Sequence, residues 1–177
     1  VKAATAVMLL AVPAGLAILA WGMRKSPLLG LFGLPFVWGN LTHWGFINFV
    51  SALGMYAAVL GLTMRLLDEP SRRTTIALGA ALVLLFFTHV FRFPYAVAGV
   101  GIVTLALYPV TRRWKPVAAA LAPSLVLFGI FVAVRPVAVG GGPVEWGLFA
   151  ERSQELFGYV VGSFHDPPGA LVAETHL

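Results

Sequence analysis

The stretch "LLFFTHVFRFPY" at residues 84–95 sets Thr88, His89 and Arg92 within five positions of an otherwise apolar run. An imidazole and a guanidinium this close together suit recognition of an anion. The guanidinium offers N–H donors in a planar fork that matches phosphate oxygens, and histidine changes charge near neutral pH. A second polar group, Asn40, Thr42, His43 and Asn48, lies in "GNLTHWGFIN". An amide inside an apolar helix needs hydrogen-bond partners. Asn48, His89, Arg92 and His43 are therefore the candidate substrate-binding residues. Structural roles compete at each of them: arginine at a helix end is commonly a snorkelling anchor, as Arg135 would also be, and asparagine commonly bonds a neighbouring helix.

Other chemistries find little support. The chain has no cysteine, which excludes disulfides, thiolate metal sites and cysteine nucleophiles. It contains no GxSG for an intramembrane serine protease; "VGSF" at 161–164 is not one. His43 and His89 as a haem pair, or His165, Asp166 and His176 as metal ligands, lack any further ligand pattern. The glycine clusters have no strand-to-helix context for a phosphate loop.

The elements that must position these residues follow from composition. Of 177 residues, 59% are hydrophobic and 11% charged, with mean hydropathy +0.90. A soluble surface needs about 25% charged residues, so the expected fold class is all-α, a polytopic transmembrane helix bundle. Spans of about 20 apolar residues are predicted at 3–22, 43–64, 74–90, 93–110 and 116–134, with Pro94 breaking the third from the fourth. Residues 27–41, short and rich in glycine and proline, are a sixth segment that crosses or re-enters, for five to six in all. Residues 1–136 form this bundle. Residues 137–177 form an outward-facing tail whose stretch "EWGLFAERSQELFGYVVGSF" is predicted as an amphipathic interfacial helix. The absence of an initiator Met at Val1 makes a piece of a longer protein the expectation, with further N- and C-terminal parts.

Orientation follows from Lys and Arg. If residues 27–41 cross, Arg24, Lys25, Arg65, Arg72, Arg73, Arg112, Arg113 and Lys115 share one side, against Lys2, Arg92, Arg135 and Arg152 on the other. That bias puts the loops at 23–26, 65–73 and 111–115 in the cytoplasm and the "THVFRF" corner outside. If the segment only re-enters, the split is even. The same distribution accounts for the +5 net charge through the bilayer, without nucleic acid as a partner.

"WGFINF" followed by "LLFFTHVFRFP" resembles the GT-C class of bacterial polytopic membrane glycosyltransferases over roughly residues 27–135. The likeness touches Trp44, Gly45, Phe46, Asn48, Phe49, Thr88, His89 and Phe93. It implies a bacterial inner-membrane location and a polyprenyl-phosphate-linked sugar, or another lipid-like substrate, handled at the outer face. That class uses an acidic residue in an early outward loop, whereas the outward loops before residue 136 hold no Asp or Glu. A transporter or channel subunit, and a structural or assembly subunit, are the alternatives.

Overall fold

A computed structural model describes residues 2–38, 42 and 45–134 of the chain. The described residues are all helical: α1 (Lys2–Gly22), a 3₁₀ segment (Pro27–Trp38), α2 (Ile47–Asp68), α3 (Arg72–Thr88), a 3₁₀ turn (Val90–Arg92), α4 (Phe93–Thr111) and α5 (Lys115–Val134). Four stretches, Ala4–Gly22, Ile47–Asp68, Val90–Thr111 and Lys115–Val134, are long and apolar enough to cross a membrane. The chain is thus of the integral membrane class. Of the five to six segments expected, α3 with 17 residues and the 3₁₀ segment with 12 are shorter than these four. The tail and its expected amphipathic helix lie outside the described residues.

Helix α2 begins four residues later than the periodicity places it. Gly45 has a left-handed φ of 81°, which turns the chain before Ile47, and the helix instead runs on through Arg65 to Asp68. Helix α3 starts at an N-cap, Ser71, whose hydroxyl accepts the Thr74 N–H at 3.1 Å. It ends at His89, and Pro94 sits in the first turn of α4, where its missing N–H costs nothing.

Helices α1 and α2 run parallel. Glycines make this contact: a Cβ at Gly15 would overlap the carbonyl oxygen of Gly54, one at Gly22 that of Gly61, and one at Gly54 that of Ala11. Both pairs are seven residues apart, the repeat that keeps one helix face on its neighbour over two turns. Small residues at such a seam let backbones meet directly, which is how helices associate in lipid.

Parallel neighbours need a return path, and the 3₁₀ segment supplies it. Gly30 lies against Pro13 and Ala17, and Gly33 against Pro13 and Leu16. Farther along, Leu34, Val37 and Trp38 come beside Thr5, Ala6, Leu9 and Leu10. The segment therefore runs antiparallel along α1. Its winding explains how twelve residues suffice: three residues per turn put Gly30 and Gly33 on one edge, and a rise of about 2.0 Å extends the segment to about 24 Å rather than about 18 Å as an α-helix. Leu28, Leu31, Phe32, Phe36 and Trp38 point outward, as lipid-facing side chains would.

The remaining helices repeat this plan. α4 runs parallel to α2, with Gly99 beside Tyr56 and Leu60 and Arg113 beside Leu67. α5 runs parallel to α3, with Gly79 against Ala120 and Phe86 against Phe131. Between α3, α4 and α5, Phe86, Phe93, Phe128 and Phe131 form an aromatic core with centroid spacings of 5.3–6.4 Å. Leu66, Leu78, Leu82, Leu85 and Val100 continue it toward the other end. Buried Thr63 and Ser124 donate to carbonyls of their own helices, so neither needs a partner across the bundle.

Candidate functional site

The loops at 23–26, 69–71 and 112–114 gather at one end of the bundle. There Arg24 holds Asp68 at 2.7 and 2.9 Å, Arg65 holds Glu69 at 2.5 Å, and Arg65 also lies over the Trp21 ring at 5.0 Å. Arg113 donates to the Asp68 carbonyl at 2.5 Å. The hydrogen bonds that Arg24 donates to the Asp68 carboxylate hold its guanidinium above the ordinary arginine range. These ion pairs are exposed, and such pairs add little to stability. Replacing Asp68 with Asn is expected to leave the melting temperature in detergent nearly unchanged.

The start of α2 and the corner between α3 and α4 make up the opposite end. Arg92 sits half-buried, its guanidinium carbon 3.9 Å from the centroid of Phe49. The His89 ring meets the same Phe49 edge-on at 5.6 Å, and Phe91 flanks it at 6.3 Å. The local chain accounts for this grouping. His89 ends α3 with φ −158°, which is extended backbone, and one 3₁₀ turn then carries Arg92 back over the first turn of α2. Phe49 is the platform, an attraction between cation and ring quadrupole that strengthens when water is excluded.

His89 Nδ1 and Arg92 Nε are both buried and have no hydrogen-bond partner among the described residues. Asp68 and Glu69 are the only carboxylates among those residues, and both lie at the far end. Such a group gains an ionic hydrogen bond when an anion arrives. No group of three His, Cys, Asp or Glu able to hold a metal ion occurs among the described residues.

The structure thus joins two of the sequence candidates, His89 and Arg92, and separates a third. Asn48 is exposed in the first turn of α2, not a turn and a half inside it, because that helix starts only at Ile47. Its Oδ1 accepts from the neighbouring Phe49 N–H at 2.9 Å, a donor shared with the Phe46 carbonyl at 3.0 Å. Thr88 is satisfied by the Leu84 carbonyl at 2.8 Å. His43 lies outside the described residues, as do Asn40, Trp44 and Arg135. Sequence reasoning missed Phe49 as the residue that both candidates touch. Only the parallel pairing of α2 with α4 brings it there.

Beside the start of α2, an open apolar groove of about 630 Å³ lies between α1 and the 3₁₀ segment, lined by Ala6, Leu9, Leu10, Leu34, Val37 and Trp38. Val37 and Leu9 pack with Val50 and Ile47, so α2's first turn separates this groove from Arg92. Comparison with known proteins finds no matching family model, no similar curated protein and no similar solved structure.

Proposed function

We propose that this chain is a six-segment protein of the bacterial cytoplasmic membrane that binds a polyprenyl-phosphate lipid at its outer face, as GT-C-like glycosyltransferases do. One observation carries the reading: a half-buried arginine and a histidine on one aromatic platform leave buried nitrogens without partners among the described residues. A lipid phosphate would supply oxygens to both, and the neighbouring groove would take part of its tail. The clustering of the charged loops at the other end of the bundle supports an outward placement of this corner. Six segments are supported by the return path that parallel α1 and α2 require. No transfer step is assigned, because Asp68 and Glu69 are engaged at the opposite end.

The test is titration of the purified protein with polyprenyl phosphate. Each ionic hydrogen bond contributes about 1.5–3 kcal/mol, so Arg92→Ala is expected to weaken binding by about tenfold or more. His89→Ala should weaken it less. Arg92→Lys keeps the charge but loses the fork and should fall between wild type and Arg92→Ala. Unchanged affinity in both alanine variants would remove the proposal.

Topology favours one second reading. α1, the 3₁₀ segment and α2 form a three-element unit whose first and third members are parallel and packed together, and α3, α4 and α5 form another of opposite orientation. Inverted units of this kind, with a non-α-helical segment, occur in secondary transporters. Solute uptake by reconstituted liposomes, with unaltered lipid binding in the Arg92 variants, would select it.

A further inference from the structure

The charged end divides into two unlike halves. Over α1 and α2, Arg24 and Arg65 are neutralised by Asp68 and Glu69, which leaves Lys25 as that half's one cation without an ion pair among the described residues. Over α3 and α5, the exposed cations Arg72, Arg73, Arg112 and Lys115 have no ion pair among the described residues. Three of them stand at the starts of neighbouring helices. The Gly79–Ala120 approach sets α3 and α5 side by side, with Arg72 and Arg73 at the start of one and Lys115 at the start of the other. Cations at a helix start oppose its dipole, so this placement costs stability unless an anion shares the site.

The membrane fixes the depth of these charges. Without its two arginines, α3 offers 15 residues from Thr74 to Thr88, about 22 Å against a hydrocarbon core of about 30 Å. A short helix thins the bilayer or draws its flanking residues toward the headgroups. Arg72 and Arg73 are thereby held at phosphate depth, and exposed Trp114 and Tyr108 belong to the same interfacial level. We infer that the α3–α5 edge of the charged end is a binding site for anionic phospholipid headgroups of the adjoining leaflet. It is independent of the Arg92 corner.

Detergent-solubilised full chain is titrated with fluorescent phosphatidylglycerol, with phosphatidylcholine as the baseline. Each juxtamembrane cation contributes roughly fivefold in affinity for an anionic surface. The double variant Arg73→Gln/Lys115→Gln is thus expected to lose roughly 25-fold. Arg24→Gln/Lys25→Gln, which removes the same net charge from the other half, should stay close to wild type. A photoreactive phenylalanine placed at position 114 of the otherwise unchanged chain should crosslink phosphatidylglycerol in preference to phosphatidylcholine. Equal losses in the two double variants, no loss in the first, or indifferent crosslinking at position 114 would each overturn the assignment.

Discussion

Replacing Gly54 with leucine is expected to abolish the folded protein, read as loss of the monodisperse peak in detergent. Its Cβ would overlap the Ala11 carbonyl oxygen and approach Val12 N at 2.6 Å. Overpacking costs about 1–3 kcal/mol where side chains can rotate away. Here the obstacle is the backbone of α1, which moves only if the whole helix retreats and the seam at Gly15, Gly22 and Gly61 opens with it. Against a total stability of about 5–15 kcal/mol, that loss is expected to be decisive. Gly54→Ala sets the same Cβ against that backbone and is expected to be strongly destabilising as well, with leucine adding further atoms to the clash. Gly101 and Gly129 have nothing within 4 Å of an added Cβ. Alanine there should stabilise slightly, since glycine inside a helix costs about 0.5–1 kcal/mol. A neutral Gly54→Leu would mean that α1 and α2 do not meet along this face.

The second large effect is all-or-none. The chain contains no cysteine, so single cysteines introduced at positions 25, 46, 71, 91 and 112 report without background. In intact cells a membrane-impermeant maleimide is expected to label positions 46 and 91 and to spare 25, 71 and 112 until the membrane is opened. The physical reason is the parallel packing of α1 and α2, which obliges residues 23–46 to travel the full length of the bundle. A dozen α-helical residues would fall short of that distance; the 3₁₀ winding comes close to it. Labelling of 25 and 46 from one side would show that the segment re-enters, and would leave the basic residues evenly divided between the two faces.

The groove and the corner separate what composition can reveal from what it cannot. Lipid exposure and helix positions were legible because apolar run length is a local property. A break ahead of Pro94 was legible because proline lacks the N–H a continuing helix needs, but its place was not: Phe93, the residue before the proline, is helical, and the chain leaves the helix at His89. The 3₁₀ winding was not: Pro27, Gly30, Gly33 and Pro35 announce irregular backbone, but only the surface of α1 determines that Gly30 and Gly33 must share one edge. Asn48 was misplaced by about one helix turn because the left-handed conformation at Gly45, after which the helix begins at Ile47, leaves no trace in hydropathy.

Apolar content and the scarcity of charge determined by themselves that this is a helical membrane protein, since hydrocarbon tolerates only backbone that bonds within its own segment. The spacing of Lys and Arg grouped the loops at 23–26, 65–73 and 111–115 only on condition that residues 27–41 cross; the packing of the helices brings those loops to one end. Tertiary structure alone decided which polar groups meet. Phe49 lies some forty residues from His89 and Arg92, and their contact depends on α2 and α4 running parallel, on glycines that admit one backbone to another, and on the single turn between α3 and α4. Such pairings rest on shape at a distance along the chain, which residue order does not encode locally.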